Sequence, residues 1–193
     1  MKLLSQRSVL IGLALVALVA LMAATRMHHF GSALHLPDAS LAVFLLAGFF
    51  ITSPLFFAGL LLEAGALDYV AITHLGVSDW CVTPAYWFLI PTYAVLWFAG
   101  RYYARIHRHS LRSLSVFAGL SVAALSVAFF ISNGAFYWFS GRYPDTGMAE
   151  YAARVAQYYS PYLTGGLLYL ACAAALYAVL TARMPAAAST TGK

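Results

Sequence analysis

The sequence predicts an all-α membrane protein: six transmembrane helices, both termini on the cytoplasmic side, bundled around a cavity that faces outward. Three observations carry that prediction. Of 193 residues, 63% are hydrophobic and only 9% charged, with a mean hydropathy of +0.80. A soluble domain carries about 25% charged residues, so this chain has too few to cover a water-facing surface. Long apolar runs alternate with short polar connectors, and threading them as six spans puts most lysines and arginines on one side. The length suits one membrane domain over residues 1–193 with no appended soluble domain. The net charge of +5 is strung along connectors rather than gathered on one face, which argues against a nucleic-acid partner.

The first span is expected at 9–24. Its basic start and alanine-rich end also fit a signal peptide, but the run is long for a signal core and no small-x-small cleavage site precedes Thr25. Ala20 and Ala24 form a small-xxx-small pair, the kind of face on which membrane helices dock, either within the bundle or onto a separate partner.

The next apolar run, 41–62, is interrupted by Ser53-Pro54. Proline suits either a kink or the first turn of a new helix, so local chemistry leaves one span or two. Charge decides for two, at 37–52 and 55–72. With six spans in all, Lys2, Arg7, Arg101, Arg105, Arg108, Arg112, Arg183 and Lys193 lie inside, leaving Arg26, Arg142 and Arg154 outside. Five spans would turn the four-arginine connector outward, against the positive-inside rule. The remaining spans are expected at 84–100, 114–132 and 161–181. Short spans of ~16 residues reach about 24 Å, less than the ~30 Å hydrocarbon core, and are tolerable beside a cavity.

The outer connectors, 25–36, 73–83 and 133–160, collect the distinctive chemistry. They hold His28, His29, His35, His74, Asp79, Cys81, Arg142, Glu150 and Arg154, with Asp68 and Tyr86 near the same surface. The run Phe136-Tyr137-Trp138-Phe139 is expected in a loop, with some rings facing inward. Between 146 and 159 a short amphipathic helix is expected, with Glu150 and Arg154 spaced for an ion pair. Asp68 is expected either to pair within the bundle or to line a site. Glu63 falls mid-span, where a carboxylate is functional or else protonated and hydrogen-bonded.

Cys81 is the sharpest of these candidates. It sits in a polar interval, Ser78-Asp79-Trp80-Cys81-Val82-Thr83-Pro84, whereas Cys172 lies within the apolar run 167–180 and is expected to be buried as a small hydrophobe. Residues at such different depths do not suit a disulfide. One cysteine cannot build a zinc site, which needs about four ligands. It can give one axial bond to a metal that arrives chelated, a corrinoid or a haem.

The segment Ser-Asp-Trp-Cys-Val-Thr-Pro-Ala-Tyr at 78–86, with His28-His29 before it and Arg154 after it, resembles the BtuM family. These are small cobalamin (vitamin B12) transporters of the bacterial inner membrane, akin to the S-components of energy-coupling-factor (ECF) transporters. The resemblance spans the chain and is most specific around the cysteine. It implies an S-component-like bundle in which Cys81 is an axial ligand to the cobalt of cobalamin, with removal of the upper (cyano) ligand as accompanying chemistry. It also implies that His28 or His29, Asp68, Tyr86 and Arg154 line the ligand pocket. Docking on an ATP-driven module through Ala20 and Ala24, or operation without one, are both compatible with it.

Two other classes remain open. A bis-histidine haem protein needs histidines on facing helices, whereas the six here lie in connectors. An ion-coupled solute carrier would use Glu63 and Asp68. A dedicated enzyme is disfavoured, since no nucleophile–base pair with an orienting group and no glycine-rich phosphate loop appears in the sequence.

Overall fold

The structure is a computed structural model that describes residues 2–26 and 36–182. Its described residues form six α-helices: α1 (Lys2–Arg26), α2 (Ser40–Phe50), α3 (Pro54–His74), α4 (Leu89–Ile106), α5 (Leu111–Phe139) and α6 (Met148–Ala182). A short 3-10 helix, Pro84–Phe88, leads into α4. Among the described residues there is no strand. The all-α class is as expected.

Four helices are long and apolar enough to cross a membrane: α1, α3, α5 and α6. This marks the chain as a membrane protein. The break at Ser53-Pro54 does separate two helices, with Pro54 in the first turn of α3, where its missing N–H costs nothing. The first of the two falls short of a span, however. At 11 residues, α2 reaches about 16 Å, roughly half the hydrocarbon core. It is apolar all round because it is buried all round: Ala42, Val43, Phe44, Leu45 and Ala47 have almost no exposed surface.

α2 packs most extensively against α4, and two glycines set the closeness. A Cβ on Gly48 would lie 2.2 Å from the Trp97 carbonyl oxygen, and one on Gly100 would lie 1.9 Å from that of Leu45. Backbone meets backbone at both points, the packing that small residues permit between membrane helices.

Several boundaries differ from expectation. α5 continues to Phe139, so the aromatic run lies on its last turn rather than in a loop. It stops where Ser140 caps it and Gly141 takes a positive φ of 70°. The expected amphipathic helix at 146–159 and the expected span at 161–181 are one continuous helix, with Pro161 inside it. Cys172 is exposed on α6 rather than buried, and neither cysteine forms a disulfide. Ala17, Ala20 and Ala24 are exposed on α1, so this alanine face is left unused by the bundle.

Candidate functional site

Successive helices alternate in direction. The last residue of α1, the first of α2, the penultimate turn of α3 and the start of α4 therefore meet at one end of the bundle. Arg26 holds them together. This guanidinium, 8% exposed, donates from Nε and Nη2 to the two carboxylate oxygens of Asp68 at 2.7 Å each. Nη1 donates to Ser40 Oγ at 2.9 Å, to Tyr93 Oη at 2.8 Å and to Asp38 Oδ2 at 3.3 Å. A buried charge is tolerable only when paired and hydrogen-bonded in this way.

The partners are fixed in turn. Asp38 Oδ1 accepts from the Ser40 backbone N–H at 2.9 Å and from Ser40 Oγ at 2.6 Å, a local turn that starts α2. Tyr93 stacks on Phe44 with centroids 4.1 Å apart and planes 5° off parallel. Asp68 also accepts the hydroxyl of Tyr86 at 2.5 Å, which ties the 3-10 turn to α3.

The connector from α3 to this turn carries Cys81. Gly76 adopts a positive φ of 68°, which lets the chain fold back so that the backbone N–H groups of Leu75 and Val77 both bond the Ala71 carbonyl. The backbone N–H of Trp80 then donates to Ser78 Oγ at 3.2 Å, and that of Val82 donates to the Asp79 carbonyl at 2.8 Å. The guanidinium of Arg142 lies 4.3 Å above the Trp80 ring.

These parts surround an open cavity of about 420 Å³. Cys81, Asp68 and Tyr86 line it together, and Arg26, Asp38 and Tyr93 line it as well. Tyr162 on α6 closes one side, and its buried hydroxyl has no hydrogen-bond partner among the described residues. Burial pushes the Cys81 thiol up from its ordinary value; the Asp68 carboxylate adds to this, and Arg142 opposes it. The free residue is therefore a thiol at neutral pH, and a metal that binds its sulfur must displace a proton.

Three expected site residues stand differently. Arg154 is not on the cavity wall. Its Nη1 donates to Tyr143 Oη, and its guanidinium sits between Tyr143 at 4.5 Å and Tyr158 at 5.0 Å, behind the lining residue Phe136. The expected pairing of Arg154 with Glu150 is absent; Glu150 Oε2 instead lies 3.1 Å from the hydroxyl of Tyr137. His28 and His29 lie outside the described residues.

The sequence reading missed Arg26 and Asp38. The signal was present: Asp68, near the end of an apolar segment, demands a cation at its own depth, and Arg26 closes the neighbouring apolar run. Glu63 is half-buried midway along α3 with no hydrogen bond or ion pair among the described residues. No group of three His, Cys, Asp or Glu side chains among the described residues is placed to hold a metal ion. Neither protein-family models nor curated proteins give a match to the chain.

Proposed function

We propose that this is a cobalamin-binding transport protein of the bacterial inner membrane, taking up vitamin B12 with Cys81 as an axial ligand to cobalt. The observation that carries the reading is a lone thiol lining a largely apolar cavity that also holds a few polar groups, Asp38, Asp68, Tyr86 and Arg26. Corrin supplies four equatorial nitrogens, so one soft donor completes what the metal needs. The thiol shares the cavity with a flat aromatic and amide-compatible lining: Tyr86, Tyr93 and the unpartnered Tyr162 hydroxyl.

Size bounds the fit. A space of about 420 Å³ takes an edge of the corrin and its cobalt, not a whole cobalamin, so the nucleotide arm belongs beyond the described walls. Arg142, stacked on Trp80 beside the cysteine, offers a cation for the phosphate of that arm. Arg154, engaged with Tyr143, is a weaker candidate for that role.

Transport in this reading uses six membrane passes with both ends cytoplasmic, α2 being a half-length pass enclosed by its neighbours. The exposed Ala20 and Ala24 on α1 are the face offered to an ECF-type ATPase module, if one is used. With cobalamin bound, Cys81 would supply a sulfur donor to its cobalt, and loss of cyanide as the anion would need one electron per cobalt from an external thiol, which would end as disulfide.

The engagement of Asp68 speaks against the ion-coupled carrier. Both its oxygens are taken by Arg26 and one also by Tyr86, which leaves only Glu63 for a travelling ion. The test is purification from cells supplied with cobalamin, followed by a visible spectrum. A corrinoid spectrum supports the reading, a Soret band means haem, and absence of a chromophore favours the carrier.

A further inference from the structure

The end of the bundle away from Cys81 holds a second cavity of about 430 Å³, between the α2–α3 bend and α4. Phe57, Trp97, Phe98 and Tyr102 form its apolar walls, and Arg101 and Arg105, one turn apart on α4, supply its charge. Trp97 is buried and meets Phe57 edge-on at 5.4 Å, so the floor is preformed. Phe98 and Tyr102 are 66% and 55% exposed, so the rim opens onto the outer surface of the helix.

The charge here has no counterpart among the described residues. Arg105 makes no hydrogen bond or ion pair among the described residues, and Arg101 reaches only the Ile51 carbonyl, at 3.4 Å. Of the six acidic residues, Asp38, Asp68, Asp79, Asp145 and Glu150 lie at the Cys81 end and Glu63 is midway along α3. Arg108 and Arg112 follow in sequence at the same end as the cavity, again with no carboxylate near. Arg105 is exposed and Arg101 part-exposed, so water reaches both. Two like charges one turn apart, with no carboxylate at this end among the described residues, favour an anion from outside the protein between them.

We propose that this cavity holds the headgroup of an anionic phospholipid, with its phosphodiester between Arg101 and Arg105 and its acyl chains along Phe98 and Tyr102. The guanidinium fork matches phosphate oxygens in pairs, and aromatic side chains with a polar tip sit where headgroup meets hydrocarbon. A small soluble anion would satisfy the arginines and leave the exposed rings in contact with nothing it could cover. A diacyl lipid satisfies both. The inference is independent of what the Cys81 cavity binds.

The test uses the full chain in mixed micelles of phosphatidylglycerol and phosphatidylcholine in equal amounts, with retained lipid counted by native mass spectrometry. The wild type retains one phosphatidylglycerol in preference to phosphatidylcholine. Arg105→Gln and the double variant Arg101→Gln/Arg105→Gln lower that preference by roughly tenfold or more, the loss expected for charge-assisted phosphate contacts. Arg108→Gln/Arg112→Gln removes the same charge from the same end and leaves the preference intact. Glycerol phosphate, the headgroup without chains, does not displace the lipid at equal concentration. Equal retention of both lipids overturns the proposal. So does an unchanged preference in Arg105→Gln, a matching loss in the Arg108/Arg112 control, or displacement by glycerol phosphate, which would mean a site for soluble phosphate.

Discussion

Arg26 and Asp68 are joined by two hydrogen bonds of 2.7 Å, fork to fork, across 42 positions of sequence. That pair joins α1 to α3, and through Ser40, Tyr93 and Tyr86 the same two side chains reach α2, α4 and the turn beside Cys81. The floor of the Cys81 cavity is thus a buried charge network rather than an apolar plug.

Removing one member leaves the other charge uncompensated. Arg26→Ala is expected to cost about 3 kcal/mol or more of stability, because Asp38 and Asp68 then face each other without a cation. The double variant Arg26→Leu/Asp68→Leu recovers part of that loss. Thermal unfolding of Arg26→Leu, Asp68→Leu and the double variant in detergent checks it, and additive losses would deny the coupling.

The α2–α4 contact makes a separate claim. Gly100→Ala and Gly48→Ala each drive a methyl into a backbone carbonyl, at 1.9 and 2.2 Å. Neither carbonyl can move without shifting a helix, so a loss of about 3 kcal/mol, at the upper end of overpacking costs, is expected. Gly119→Ala, with nothing within 4 Å, is the control and should be neutral or slightly stabilising. Unfolding midpoints separate the two cases.

If Cys81 takes cobalt as proposed, that binding should strengthen with pH. Burial and Asp68 raise the thiol above its ordinary value, so metal binding releases a proton throughout the neutral range. Apparent affinity then rises about tenfold per pH unit until the thiol's own pKa is reached. Arg142 acts in the opposite sense, so Arg142→Gln shifts the whole curve to higher pH and weakens binding at any fixed neutral pH. Spectral titrations of aquocobalamin across pH, wild type against variant, give both slope and shift.

His107 couples folding to acid at the other end. Its ring nitrogens sit 3.0 and 2.9 Å from the hydroxyls of Tyr103 and Tyr177, and burial, then His109, lowers its pKa. Folding therefore favours the neutral ring. The stabilisation is full above the ordinary histidine value of about 6.5 and is lost as pH falls from there through the lowered folded value. Melting temperatures measured between pH 7.5 and about 5 should fall for the wild type and flatten in His107→Gln.

How much of this was legible in the sequence varies by residue. The helical class and the break before Pro54 follow from composition and from the tolerance of proline at a helix start. The gathering of Cys81, Asp68 and Tyr86 follows from placing three connectors at one end. Arg26 was missed because an arginine closing an apolar run looks like an ordinary span end until its partner 42 positions on is asked for. Cys172 was misplaced because a run that is apolar on every side has no phase from which to tell an inner face from an outer one. The aromatic run belongs to the last turn of α5 rather than to a loop because the helix stops only at Ser140 and Gly141, where φ turns positive.

X-ray absorption at the cobalt edge tests the central claim most directly, on the purified protein saturated with aquocobalamin. The account predicts a sulfur scatterer bonded to cobalt in the wild type that vanishes in Cys81→Ser. A wild-type spectrum with only nitrogen and oxygen neighbours around the metal would contradict it.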